Sequence, residues 1–286
     1  MPSTKAATAL GTGAILLWAT LASLTALSGP FPPFQTTAIA FAVGGLGLML
    51  AAILGGRAAS LRPTPASLAL GIYGLFAYHS LYFAALKLAP PAEAHLVSSL
   101  WALLIVLFSA LLPGGRLRPA HVCGALLGLG AATLLVWDKL GAGSGTATGP
   151  LGFVLAFCCA LVWSSYSVAS RLLASVPSES IAVSCLATAA LALVCSRLFE
   201  TWVMPADFVA WAALICLGAG PVGAAFLLWD IGMKRGDVSL LGVLSYASPI
   251  ISTVLLVALG FTEATWSLAI ACVLMAAAAA IATRAK

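Results

Sequence analysis

The chain has 286 residues, 62% of them hydrophobic and 7% charged, with a mean hydropathy of +1.12. Soluble domains carry about 25% charged residues, so too little charge is present to cover a water-facing surface. The net charge of +5 comes without the clustered basic surface that a nucleic-acid partner requires.

Lipid is therefore the main solvent. A membrane-crossing helix needs about 20 apolar residues, and backbone polar groups in lipid must be bonded within a helix or a closed barrel. The apolar runs are long and unbroken, whereas barrel strands are short and alternate polar with apolar. Gly-Pro, Pro-Pro and Gly-Gly steps and charge pairs punctuate the runs. They predict ten spans: 7–27, 34–55, 66–87, 92–112, 119–137, 150–171, 179–199, 207–232, 238–259 and 264–283. The first run is preceded only by Lys5 and leads into the polytopic pattern, which reads as a membrane helix and not as a cleaved signal peptide. The longest loop, "DKLGAGSGTATGP" from Asp138 to Pro150, is rich in Gly, Ser and Thr and reads as a flexible linker. It divides the chain into a first five-helix repeat (1–137), an extracytoplasmic linker (138–149) and a second five-helix repeat (150–286).

With the N-terminus inside, Lys5, Arg57, Arg62, Arg116, Arg118, Arg171, Lys234, Arg235, Arg284 and Lys286 fall on the cytoplasmic side. Lys87, Lys139 and Arg197 fall on the other. This positive-inside bias places both termini in the cytoplasm of a multi-pass protein of the inner (cytoplasmic) membrane.

The two halves resemble each other. "ILLWATLASL" (Ile15–Leu24) aligns with "ALVWSSYSVA" (Ala160–Ala169), pairing Trp18 with Trp163. "YFAALKLAPPAEAHLVSSLWALL" (Tyr82–Leu104) aligns with "WDIGMKRGDVSLLGVLSYASPII" (Trp229–Ile251), pairing Lys87 with Lys234 and Ser98 with Ser245. Five spans per half is odd, so the second half enters the membrane upside down. Such inverted repeats place a substrate site near the midplane, at the repeat interface.

The polar residues within the spans are few. "GLFAYHSLYFAALK" (Gly74–Lys87) carries Tyr78, His79, Ser80 and Tyr82, with Tyr78 and Tyr82 on one helical face. Polar groups at membrane depth usually face the bundle interior or a wet cavity, although a belt position suits Tyr82 and a helix-to-helix bond suits His79. Trp101 stands mid-span one turn after Ser98, and Trp163 stands mid-span beside Ser164. Belt tryptophans belong at span ends, as Trp137, Trp202 and Trp266 do. The candidate substrate-binding set is therefore Trp18, Tyr78, His79, Tyr82, Ser98, Trp101, Trp163 and Ser164, on a cavity walled by spans one, three, four, six, eight and nine. Packing between helices is the competing account of the tryptophans. Glu93 and His95 follow Pro90-Pro91 and suit the first turn of span four. Asp230 and Lys234, four apart, suit a structural ion pair. Gly71, Gly74, Gly218 and Gly220 with Pro221 allow close approach and local unwinding. "GALLG" (Gly124–Gly128) is a small-xxx-small pattern too common to assign an oligomer.

These features resemble the drug/metabolite transporter superfamily in its EamA-type ten-helix form, and within it most closely the exporters of aromatic amino acids. Pro249 in "SYASPIIS", Gly260 and Glu263 match the family pattern in the second half; Ala102 and "LPGGRLRP" depart from it in the first. The resemblance implies ten helices around a central cavity and export of aromatic and other neutral amino acids. The small multidrug transporters of the superfamily use a deep glutamate to bind cations. No span here places a carboxylate deep, which disfavours a cationic drug.

Other classes fit less well. "GGLG" and "GAGPVG" lie inside apolar spans without the strand–helix context of phosphate loops. The histidines (His79, His95, His121) lie apart, and the seven cysteines lack metal-ligand spacing, so no metal, cofactor or enzymatic activity is expected. The reading is an alternating-access exporter with a small neutral or zwitterionic substrate and a lipid bilayer as partners. A nucleoside or sugar-like cargo, or a non-transport structural role, is the alternative. On the predicted topology, a Ser144→Cys variant in intact cells is labelled by membrane-impermeant thiol reagents; resistance that disappears only on lysis would reverse the orientation.

Overall fold

In the computed structural model, residues 3–109, 119–141, 150–173, 175–236 and 247–283 are described, together with 241, 244 and 245. Among them the secondary structure is entirely helical. The helices are α1 (Thr4–Ser28), α2 (Pro33–Leu54), α3 (Pro65–Leu88), α4 (Pro91–Ser98 and Trp101–Ser109), α5 (Pro119–Gly141) and α6 (Pro150–Ser170). They continue with α7 (Ile181–Phe199), α8 (Phe208–Leu217, Gly218–Ala224 and Ala225–Arg235 in succession), α9 (Ala247–Ala258) and α10 (Trp266–Thr283). By length and composition α1, α2, α3, α6, α7 and α8 are long and apolar enough to cross a membrane.

Proline marks the starts of α2 to α6, at Pro33, Pro65, Pro91, Pro119 and Pro150. Its fixed φ suits the first helical position, where a missing N–H costs nothing. Asp207 accepts from the N–H of Ala210 at 2.9 Å and caps α8. The outward faces carry Leu46, Leu50, Leu54, Val194, Leu198, Phe208 and Val273, all more than half exposed, as lipid contact requires. Trp137 and Trp266 are also exposed, and Arg197 lies over the ring of Trp202 at 4.6 Å. This suits the end-of-span positions read from the sequence.

Two features differ from the sequence reading. Span four is broken: α4 is interrupted at Ser99–Leu100, between Ser98 and Trp101. The hydroxyls of Ser98 and Ser99 both donate to the His95 carbonyl at 2.8 Å, beside the backbone N–H of Ser99 at 3.0 Å, a back-bonding that bends helices. Residues 138–141, read as linker, continue α5. Residues 142–149 of the linker, with Ser144, and Arg116, Arg118 and the start of span nine lie outside the described residues, as do the side chains of Lys139, Arg171 and Lys234. Of the expected Asp230–Lys234 pair, Asp230 is seen to accept from Ser178.

Helices α3 and α8 each contain a π turn, at Tyr73–Ala77 and Gly218–Ala224. Such bulges recur at functional sites. The principal packing partners are α1 with α8, α3 with α6, α2 with α7, α5 with α10, α4 with α6 and α2 with α8, followed by α1 with α9 and α3 with α7. Helices α2 and α7 run antiparallel. Glu200, just past the end of α7, accepts from the N–H groups of Phe34 and Gln35 in the first turn of α2, at 2.8 and 2.9 Å. A carboxylate there satisfies two orphan donors at the positive end of the helix dipole. At the other end Arg57 pairs with Glu179 at 2.9 Å.

Close approach explains two of the glycines. A Cβ on Gly74 would lie 2.3 Å from the ring of Tyr166, and one on Gly44 would lie 2.7 Å from the Gly218 carbonyl. Gly220 differs, since its Cβ would meet Leu17 at an ordinary 3.5 Å. Gly128 packs inward, where a Cβ would lie 2.2 Å from Leu103, so its side of the small-residue pattern in α5 serves contacts within the chain. Gly74→Ala should destabilise the fold by about 1–3 kcal/mol, the usual cost of overpacking, while Gly220→Ala should be tolerated. Thermal unfolding of the purified variants measures both; equal stability would mean the Tyr166 ring moves away without cost.

Candidate functional site

A cavity of about 40 Å³ lies between six helices. Its walls are Trp18 and Leu21 of α1, Tyr78 and His79 of α3, His95, Ser99, Trp101 and Ala102 of α4, and Trp163 of α6. Phe226 of α8, Ser245, and Ser248 and Pro249 of α9 complete it. These are the six segments nominated from the sequence, and among the described residues of the wall none is an acid, a lysine or an arginine.

Trp163 is the centre of the wall. It is 5% exposed. Its ring lies 5.0 Å from Tyr78, 5.2 Å from Tyr166, 5.7 Å from Phe226, 5.9 Å from Trp18 and 6.4 Å from Trp101, centroid to centroid. The pairs are tilted or edge-on, the arrangements aromatic quadrupoles favour, each worth about 0.5–1.5 kcal/mol beyond area burial.

Trp18 is held from the opposite half of the chain. Its indole N–H donates to the carbonyl of Pro221 at 3.0 Å. In the π turn the N–H of Ala225 goes to Gly220 and not to Pro221. The Pro221 carbonyl is thereby released from its ordinary helical donor and takes the indole. The ring of Trp18 then stands edge-on to Trp163 and 5.1 Å from Trp229.

The two cavity histidines differ. His79 is 2% exposed, lies edge-on to Phe41 at 4.7 Å, and its Nδ1 bonds the Leu75 carbonyl at 3.0 Å. A carbonyl can only accept, so that nitrogen carries the proton and Nε2 is the acceptor of the neutral ring. His95 lies 2.9 Å through its Nδ1 from the hydroxyl of Tyr82.

Of the eight candidates read from the sequence, Trp18, Tyr78, His79, Trp101 and Trp163 line the cavity. Tyr82, Ser98 and Ser164 do not. Tyr82 is fully buried behind the wall, stacked on Tyr78 at 5.8 Å, which also removes it from an interfacial belt. Ser98 donates to the His95 carbonyl, and Ser164 donates to the Ala160 carbonyl at 2.7 Å. Short hydroxyls inside a helix find a carbonyl one turn back more readily than a distant ligand. The sequence reading missed His95, Phe226, Ser99, Ser245 and Ser248. His95 was assigned to the first turn of span four, yet it is 6% exposed and on the wall; Glu93 beside it is also buried. Trp101 stands six residues after His95, which on an unbroken helix puts them on different faces, so spacing gave no signal for His95.

Two further recesses flank the cavity. One is lined by Ser67, Tyr166, Ser178, Ser184 and Asp230. The other is lined by Ala22, Thr25, Leu86, Lys87 and Pro91. Trp163 of the cavity wall contacts Tyr166 of the first recess, and α1 lines both the cavity and the second recess.

The chain is similar to known transporters along nearly its whole length. It is 54% identical over 284 residues, covering 98% of both chains, to the aromatic amino acid exporter YddG of Ancylobacter novellus. It is 26% identical over 269 residues to the exporter of the same name from Salmonella typhimurium, with 88% of each chain covered. Against that of Escherichia coli it is 28% identical over 271 residues, with 87% of each covered. A solved crystal structure at 53% identity covers 99% of both chains with a TM-score of 0.79. The model of the EamA-like transporter family matches residues 6–137 and 150–284. The chain is a polytopic helical membrane protein and belongs to the EamA-like transporter family.

Proposed function

We propose that the protein exports aromatic and other neutral amino acids across the cytoplasmic membrane by alternating access. One observation carries this reading: the central cavity is walled by Trp18, Tyr78, Trp101, Trp163 and Phe226, with histidines and serines as its polar groups and no formal charge among its described residues. Such walls suit an apolar ring and a zwitterionic head, and give a charged side chain no partner to offset its desolvation. A sugar-like cargo would need many more donors and acceptors than these rings supply. The names of the three exporters to which the chain is similar point the same way.

The architecture proposed is ten membrane helices in two inverted halves, 1–137 and 150–286, joined by an extracytoplasmic linker at 138–149, with both termini in the cytoplasm. Three features support it. Exchanging α1 with α6, α2 with α7, α3 with α8, α4 with α9 and α5 with α10 maps the principal helix contacts onto one another. The mates α2 and α7 pack antiparallel, as inversion demands. The two π turns start at residues 73 and 218, the same offset as from Trp18 to Trp163. Cavity residues also fall in mated pairs: Trp18 with Trp163, His79 with Phe226, and Ala102 with Pro249.

The cycle follows from the ring packing. The rings around Trp163 lie 5.0 to 6.4 Å from it, centroid to centroid, so a cargo that binds among them parts them. A cargo with an aromatic side chain puts ring contacts back in place of those it breaks. An aliphatic cargo breaks them without replacement. The π turns in α3 and α8 are points where these helices can bend as the halves rock against each other.

Two ring contacts replaced at about 0.5–1.5 kcal/mol each correspond to roughly a ten- to hundredfold preference for phenylalanine or tryptophan over alanine. Trp101→Ala and Trp163→Ala should depress phenylalanine counterflow in proteoliposomes by a similar factor. Trp202→Ala and Trp266→Ala, at the periphery, should leave it within about twofold. Flux is normalised to monodisperse protein. Equal losses at all four positions would mean that these tryptophans hold the bundle together and do not read the cargo.

A further inference from the structure

Among the described residues, His95 is the one cavity-lining residue with a buried side-chain polar atom that lacks a hydrogen-bond partner. That atom is Nε2. The residue is more than nine-tenths buried. Leaving a buried donor or acceptor unmade is costly, and His95 lines the cavity, so a cargo that parts the surrounding rings reaches a residue with an unsatisfied nitrogen.

The local structure sets its chemistry. Tyr82 is fully buried, and its hydroxyl meets His95 Nδ1 at 2.9 Å. A buried phenol needs an acceptor for its proton, and Nδ1 supplies one. Nδ1 is then the acceptor of the neutral ring and Nε2 carries the hydrogen. His95 also stands one turn before the break in α4, where Ser98 and Ser99 converge on its carbonyl. The break, the Tyr82 bond and the ring position form one unit.

His79 is set the other way, with Nδ1–H given to Leu75 and Nε2 left as an acceptor. Two histidines on one cavity wall thus hold opposite tautomers. The head of an α-amino acid is similarly divided, with a carboxylate that only accepts and an ammonium that only donates.

We propose that His95 is the specificity residue that reads the α-carboxylate of the cargo through Nε2–H, and that Tyr82 is the positioning residue that holds this tautomer. The proposal rests on the amino-acid reading above and assigns its head-group contact. It requires a cargo with a free carboxylate, and it explains why a tyrosine behind the wall matters without touching the cargo.

The test compares phenylalanine with phenylalaninamide, which keeps the ring and the amine but loses the anionic acceptor. Apparent Kd values come from ligand-induced thermal stabilisation of the purified transporter. Charge-assisted bonds are about twice as strong as neutral ones, so the parent should prefer phenylalanine by about tenfold. His95→Leu should remove that preference. His95→Gln, which keeps an N–H near the place of Nε2, should retain most of it. Tyr82→Phe should lower the ratio in the same direction by a smaller factor, a change that loosened packing alone would not produce, because packing acts on both ligands alike. A His95→Leu variant that keeps the full preference, or that loses both ligands equally, overturns the assignment while leaving amino-acid export standing. A parent that binds neither compound overturns both.

Discussion

The hydrogen bond from the Trp18 indole to the Pro221 carbonyl is the contact on which the cavity depends. In lipid a released carbonyl has no water to take its place. Proline at position 221 cannot donate, the turn around it widens to π geometry, and the carbonyl loses its helical partner. The first helix supplies the donor from roughly two hundred residues away in sequence. Satisfying the backbone of α8 thereby fixes the edge of the Trp18 ring, and that edge sets its angle to Trp163. A backbone necessity and an aromatic wall are one structure here.

The wall is neutral for a related reason. Burying a charged side chain near the middle of a bilayer costs about 2.5–3.5 kcal/mol on insertion scales, and an unliganded charge would bear that cost in every empty cycle. Imidazole avoids it. A neutral ring can donate or accept, and which it does is set by the group bonded to the other nitrogen. Leu75 and Tyr82 make opposite settings in His79 and His95. Polarity for a zwitterion is thus available without a fixed charge. Charges at helix ends, Glu200 on the first turn of α2 and Arg57 with Glu179, fasten α2 to α7.

Much of this was legible in the sequence. Composition and run length require helices in lipid, and the proline and glycine steps mark where they begin and end to within a few residues. The mid-span tryptophans and the Tyr78–His79 pair stand out because large amphipathic side chains are rare at that depth. Three kinds of feature were hidden. Hydroxyls at Ser98 and Ser164 look like ligands in one dimension, yet they close on carbonyls of their own helix. Phe226 looks like any lipid-facing residue, because an apolar side chain does not announce which way it faces. His95 was concealed by its place just after Pro90-Pro91, which suggested a helix-start role; the packing of α4 against α3 and α6 puts it on the cavity wall.

The proposed cycle also has an energetic logic. An exporter must release its cargo as readily as it takes it, so a deep well is a disadvantage. If ring contacts with the cargo only replace ring contacts within the wall, the aromatic term nearly cancels between empty and loaded states. It then acts mainly against cargo that cannot make the replacement, and selectivity arises without tight binding. The mutual contact of the rings is part of this design, because a looser wall would let small molecules enter without parting them. What remains to hold the cargo is the head group, met by imidazoles and hydroxyls of modest strength. Filling the cavity permanently, with a bulkier side chain at Ala102 for instance, would leave no ring contacts to exchange and should trap the protein in its closed form.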